Sequence, residues 1–476
     1  MIALALLWSC CRALFRDEKA ASAVDRALPA LFVILALPLM IFIALVVPPG
    51  QSPDEPNHVV RVASVAHGQI TGRRGRNYWV RDHFEPQTDV KLNLGTAEVA
   101  WLGTNPQQYY GAAVQAKIRA VPWSSRTYVS DVPNTGTYPP FLYIPAATGL
   151  ALVRLLGGTP YEAFIAERCA GALTYTLLGF LALMLARRGK LLLFVVLMLP
   201  AALWLGGTVH QDGVMIGLAV LAVALLTGAE ASPRRVWWAA AALCLIILAR
   251  PPLIPLALLI GVPLGFKRST WAIAIAAVPG LLWALLVVPR VSVPFFFAHS
   301  YLGGPLWQGA PKQIFYGTDP LAQAKILLSH PGRLLTLPLV TMLAEWNIRL
   351  GEMFGVVGAL DLVLPDLFRE CSALAMLAAI AGLGRDGANR RLPWLAFGII
   401  ATVFLIYDAQ YISWTHVGSE LIEGVQGRYL LELVPFLALA GASRPAQVAW
   451  NFPAIVLAAC SLVVVPVAVI GGYYVK

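Results

Sequence analysis

Charge is scarce in this chain. Only 13% of its 476 residues are Asp, Glu, Lys or Arg, against 58% hydrophobic, whereas a soluble domain carries about a quarter charged residues. A water-soluble globule is thereby excluded. Extended runs of alternating polar and apolar residues are missing, which excludes a membrane barrel. The six cysteines lie at or within apolar segments, form no CxxC pair and show no metal-ligand spacing, so neither a disulfide framework nor a zinc site is expected. No phosphate-binding loop and no dinucleotide glycine fingerprint set between a strand and a helix occurs, so ATP or a soluble nucleotide-sugar is not expected as direct substrate. Nor is there a convincing internal repeat of the kind many transporters carry.

What is present is a succession of apolar runs, each about 15 to 25 residues long, with a mean hydropathy of +0.71. The expected fold class is an all-α polytopic membrane protein forming one membrane-embedded domain over 1–476. The net charge of +10 suggests nucleic acid at first sight. The Arg and Lys residues gather in short loops between apolar runs, however, so the charge reports orientation and no nucleic-acid partner is expected. Residues 1–27 read as a cytoplasmic or interfacial segment, because Arg12, Arg16, Lys19 and Arg26 accompany a short apolar stretch without a cleavage site. Placing the basic clusters inside gives about eleven spans, near 28–47, 162–186, 191–207, 213–229, 236–250, 252–266, 271–289, 367–384, 393–411, 428–443 and 452–473. The runs 141–156 and 334–344, each interrupted by proline, read as juxtamembrane helices.

Two long outer segments follow from that topology, 48–140 and 290–366. The first is too long to be a connector and should carry function or cover a site. It opens with Val-Pro-Pro-Gly-Gln-Ser-Pro-Asp-Glu-Pro-Asn-His-Val-Val-Arg, which offers Asp54, Glu55, His58 and Arg61 within eight residues of one another. A helix starting near Pro56 would let Asp54 cap it and would put His58 and Arg61 on one face. The bland reading is a capped surface helix. The segment's Trp and Tyr residues either stack on sugars or anchor the loop at headgroup level, and anchoring is favoured for most.

With this topology the unusual polar residues sort to one side: Asp54, Glu55, His58, Asp212, Arg250, Glu423 and Arg428 lie at outer ends of spans or in outer loops. Ionisable groups at membrane depth are costly and are functional candidates by default. Each has a structural alternative. Asp212 can cap the helix that follows it, Arg250 can snorkel, and Arg428 can pair with Glu423 or Glu432. Convergence on one face favours function.

Asp54-Glu55, Tyr138-Pro-Pro-Phe-Leu-Tyr, Gln211-Asp212 and Gln426-Gly427-Arg428-Tyr429-Leu430 resemble, in order and topology, the pattern of GT-C-type glycosyltransferases. Pro-Asp-Glu-Pro-Asn-His, Tyr-Pro-Pro, Ala-Arg-Pro-Pro and Gln-Gly-Arg-Tyr more closely resemble a family of bacterial multi-pass proteins of unassigned function commonly placed with that superfamily. The resemblance covers Val47 to Ala440. It implies a GT-C-like fold in the bacterial inner membrane, with its site on the extracytoplasmic face. It further implies a polyprenyl-phosphate-linked sugar donor and a glycan, lipid or protein acceptor. By analogy Asp54 is the general base and Glu55 orients it or binds a metal. His58, Arg61, Tyr138, Asp212, Arg250, Lys312, Arg333 and Arg428 are the substrate-binding candidates, with Arg250, Arg428 and either Lys312 or Arg333 facing the leaving phosphate. If a divalent metal is used, Asp54, Glu55 and Asp212 are its candidate ligands. No second carboxylate stands two residues from Asp212, so the paired-acid metal motif of the oligosaccharyltransferase branch is not reproduced. A lipid-linked glycan flippase and a non-catalytic envelope-assembly scaffold are the alternative functions.

Overall fold

Uninterrupted apolar runs become long helices, and proline decides where they break. In the computed structural model, which describes residues 18–75, 78–80, 83–85, 88–104, 110–132, 134–292, 305–306, 318–384, 392–442 and 448–475, five helices are long and apolar enough to cross a bilayer. These are Ala21–Val46, Pro160–Leu185, Phe266–Val291, Leu392–Ser413 and Trp450–Tyr473. Two bent helix pairs raise the number to seven if each counts as one crossing. The Pro160–Leu185 helix starts at a capping box in which Thr159 and Glu162 satisfy each other's backbone amides.

The other expected spans are shorter or broken. The run 191–207 divides into Lys190–Met198 and Pro200–Gly207, bent by 61°, because Pro200 drives Leu199 into an extended conformation. Three prolines turn the start of the run at 252–266 into a 3-10 helix, Pro251–Ile260. The run at 428–443 is one α-turn, Arg428–Leu431, followed by a 3-10 helix, Val434–Ala440. The expected juxtamembrane helix at 334–344 is part of a longer one, Arg333–Phe354, set at 107° to Pro320–Ser329. That at 141–156 is the 3-10 turn Pro140–Tyr143 running into Ile144–Leu155. Twelve α-helical residues reach about 18 Å, well short of a hydrocarbon core about 30 Å thick.

The broken pair Lys190–Met198 and Pro200–Gly207, with Gln211–Thr227, forms the centre of the core. Their residues are buried almost throughout, which explains their lack of an apolar stripe. The helix Glu18–Val46 and the helix Pro160–Leu185 pack around them. Gly179 permits this approach: a Cβ there would lie 2.5 Å from the Phe32 ring.

The described residues of the segment 48–140 form a folded layer. Arg73–Arg74, Thr88–Asn93 and Thr127–Asp131 make an antiparallel sheet in that order, with Val90 opposite Ser130 and Leu92 opposite Tyr128. Val90 and Leu92 are buried, and their strand packs on the helix Glu55–Ala66. Trp123 donates to the Gly158 carbonyl at 2.8 Å, so this aromatic ties the layer to the helices beneath. Of the segment's tyrosines, Tyr109 lies outside the described residues.

Candidate active site

The chain leaves the first long helix at Val46, makes the turn Pro48–Pro53 and enters the helix Glu55–Ala66. Asp54, at the junction, has φ 58° and ψ 12°, the left-handed region that few residues other than glycine occupy. Its side chain makes no cap hydrogen bond. The expectation that Asp54 caps the helix is therefore corrected: its carboxylate is instead held by a residue 374 positions later, Oδ2 lying 3.1 Å from Arg428 Nη2.

A charged cluster lies behind that contact. Arg428 Nε stands 3.4 Å from Asp212 Oδ2. Arg250 Nη2 donates to Asp212 Oδ1 at 2.8 Å and Arg250 Nη1 to Glu432 Oε1 at 2.6 Å. The Tyr429 ring lies under both guanidinium groups, 4.5 Å from that of Arg250 and 5.5 Å from that of Arg428. The sequence alternative that pairs Arg428 with Glu423 or Glu432 does not occur: Glu432 serves Arg250, and Glu423 pairs with His416. Exposure falls steeply inward. The Asp54 side chain is 39% exposed, whereas those of Arg428 and Asp212 are 7% and 1% exposed. The cluster is a buried set of charges with one carboxylate at its mouth.

Two imidazoles line it. The rings of His58 and His210 are 3.8 Å apart, and His58 Nδ1 is 2.7 Å from the Tyr143 hydroxyl. Tyr138 stacks on His58 at 6.4 Å. Burial pulls His58 down to about 4, although Asp54 and Asp212 act in the opposite direction. Burial, and then His58 itself, pulls His210 well below its ordinary value. Both rings are therefore neutral near pH 7. His210 Nδ1 accepts from the Asp212 amide at 3.0 Å, which puts the single ring proton on Nε2. Arg428 Nη1 lies 3.0 Å from that nitrogen but finds no lone pair there. Arg428 Nε also lacks a hydrogen-bond acceptor. The guanidinium is thus buried with its donors only partly used.

Glu55 stands apart from this cluster. Both its oxygens receive a bidentate Arg168, at 2.8 and 2.6 Å, together with the amides of Gly50 and Val209 at 2.9 Å. Arg168 also donates to the carbonyls of Val47 and Pro48. Both side chains are 0% exposed. The expectation that Glu55 orients Asp54 or binds a metal gives way to this geometry, because its acceptor sites are already filled. Arg61 is likewise committed, its guanidinium donating to Ser64 Oγ and to the carbonyls of Gln69, Ile70 and Tyr138.

The structure thus brings Asp54, His58, Tyr138, Asp212, Arg250 and Arg428 together. Arg333 opens the Arg333–Phe354 helix and is not brought into the cluster among the described residues, and Lys312 lies outside them. Among the described residues no three His, Cys, Asp or Glu side chains converge to hold a metal ion. Asp54 and Asp212 instead share Arg428, Asp212 also takes Arg250, and Glu55 turns to Arg168. Sequence reasoning missed His210 and Arg168 as participants, and it named Glu432 only as a structural partner for the wrong arginine. The signal for Arg168 was an Arg inside an apolar run, where an ionisable group needs a partner.

The sequence profile of the family described as "Predicted membrane protein (DUF2142)" matches residues 37–437. No curated protein matches the chain. Among solved structures, the crystal structure of ArnT from Cupriavidus metallidurans bound to undecaprenyl phosphate is similar over 92% of this chain and 78% of that one, with 15% identity and a TM-score of 0.30. The family match takes in most of the chain and every residue of the cluster, and the protein belongs to this family of predicted membrane proteins.

Proposed function

We propose that the protein is a membrane glycosyltransferase that moves a sugar from a polyprenyl-phosphate carrier to an acceptor hydroxyl on the extracytoplasmic face, with inversion and with Asp54 as general base. The observation that carries this reading is the partly used guanidinium of Arg428, buried between a carboxylate at the mouth and a second arginine site behind. In the displacement, the acceptor oxygen attacks the anomeric carbon. The carbon–oxygen bond to phosphate breaks with its electron pair going to the phosphate, and the acceptor's proton passes to Asp54. The leaving phosphate gains charge as the bond breaks, and Arg428, supported by Arg250, neutralises it.

The resting ion pair has a use in this scheme. With its Oδ2 engaged by Arg428, the Asp54 carboxylate is turned to the guanidinium and not to an acceptor hydroxyl. An arriving phosphate offers Arg428 a better-matched bidentate partner and frees Asp54 beside the acceptor. Glu55 and Arg61 hold the loop and touch no substrate; His58, Tyr138 and Asp212 shape the pocket. The test is the release of polyprenyl phosphate from a labelled polyprenyl-phosphate sugar by purified protein. Turnover that disappears in Asp54→Asn while carrier binding persists supports the reading. Carrier binding without turnover in the wild type overturns it in favour of a transporter or scaffold.

A further inference from the structure

The segment that delivers Arg428 is seated by another helix. Gly427 donates its amide to Glu352 Oε2 at 2.6 Å. Glu352 is buried, and its other oxygen is braced by Arg349 Nη1 at 2.8 Å. Gly427 has an ordinary helical backbone, φ −58°, so glycine is needed there for closeness alone. A Cβ would stand 2.2 Å from the Arg349 carbonyl and 2.9 Å from Glu352 Cβ. Higher on the same helix, Thr341 Oγ1 accepts from the Ile422 amide at 3.0 Å. Thr341, Glu345, Arg349 and Glu352 follow at helical spacing and form one polar face. Another face carries Leu335, Leu339, Leu343 and Trp346, between 49% and 70% exposed. Across the 107° bend, Gln323 of Pro320–Ser329 holds the start of the same loop through the carbonyls of Thr415 and His416.

We infer that Glu352 is the positioning residue for Arg428, acting through the Gly427 amide, and that the Arg333–Phe354 helix thereby ties the phosphate-binding group to an apolar wall exposed toward lipid. This rests on the reading of Arg428 as the phosphate-binding group. Arg428 begins the single α-turn that follows Gly427, so any displacement of that amide swings the guanidinium relative to Asp54 and Asp212.

The experiment measures binding of polyprenyl phosphate to the full-length protein in nanodiscs. Glu352→Ala is expected to weaken binding by about tenfold, as loss of a charge-assisted hydrogen bond should. Glu352→Gln, whose amide oxygen still accepts from Gly427, stays within about threefold. In an Arg428→Ala background, Glu352→Ala adds no further loss. Equal binding by Glu352→Ala and wild type, or the same loss with and without Arg428, overturns the inference. A second readout does not need the lipid. With the six native cysteines replaced by serine, Arg428→Cys is expected to react severalfold faster with a thiol reagent when Glu352→Ala is added, and an unchanged rate overturns the seating. Failure of wild type to bind polyprenyl phosphate would remove the phosphate reading, while the labelling rates would still decide whether Glu352 seats the turn.

Discussion

Asp54 and Glu55 are neighbours with the same functional group, and the fold treats them in opposite ways. Glu55 exposes nothing, receives hydrogen bonds from an arginine and two backbone amides, and closes the turn after the first long helix onto the helix Pro160–Leu185. Asp54 is 39% exposed, sits on a left-handed backbone and has one long contact to an arginine that is itself incompletely bonded. A saturated ion pair is a structural joint, whereas an unsaturated one has capacity left for a ligand. The difference between the two acids is therefore a difference in how completely their partners are used, and it can be attacked from either side.

The largest effect is expected on the closed side. Removing one partner of a buried ion pair costs about 3–5 kcal/mol, since the other is left charged and unpaired. Glu55→Ala and Arg168→Ala should each greatly reduce the yield of folded protein, as read by monodisperse recovery and apparent unfolding temperature. A Glu55→Ala protein as stable as wild type would mean that the joint carries no weight. On the open side, Asp54→Asn should lower transfer by about 10²- to 10⁴-fold, the range for loss of a general base, while moving stability by less than about 1 kcal/mol, as expected for a half-exposed ion pair. If the two substitutions gave the same profile, the contrast between the acids would collapse.

This contrast lay only partly within reach of the sequence. The long apolar runs around 28–47, 162–186 and 452–473 are legible because nothing but a helix satisfies their backbone in lipid, and helices stand there. The runs at 191–207 and 252–266 are equally apolar, but a proline acts on its own few residues, and hydropathy averages over that scale. In the site, Asp212, Arg250 and Arg428 stand out as charges at the ends of apolar runs, and they do converge. The division of labour between Asp54 and Glu55 could not be read, because it depends on a left-handed residue at 54 and on an arginine 113 positions after Glu55. Glu352 was hidden for a similar reason: what identifies it is an amide contributed by a distant loop.

Acid should sharpen the comparison by acting on the buried imidazole wall behind Asp54. Unfolded, His58 takes up a proton near its ordinary value of about 6.5. Folded, it does so only near 4. Between these values the unfolded chain binds more protons, so stability that is fully present above about 6.5 declines as pH falls and levels off below about 4. His58 alone contributes a decline of roughly 3 kcal/mol across that window. Apparent unfolding temperature measured from pH 7.5 down to 4.5 should therefore fall, and His58→Gln should flatten the fall. An equal slope in the variant would move the acid sensitivity elsewhere.

The smallest effect has the opposite sign. A left-handed backbone at a residue with a Cβ costs about 1–2 kcal/mol, and Asp54 bears that strain with no cap hydrogen bond in return. Glycine at this position removes the strain but adds unfolded-chain freedom worth about 0.5–1 kcal/mol. It also gives up a weak contact with Arg428, leaving a net gain of a few tenths of a kcal/mol. Asp54→Gly should thus be as stable as wild type or slightly more so, and inactive, which is the behaviour of a residue strained for function. A structural residue would behave in the reverse way, losing stability when its side chain is deleted, as Glu55→Ala is expected to do. A marked drop in unfolding temperature for Asp54→Gly would show that the Arg428 contact holds the fold together, and the two acids would then differ in degree and not in kind.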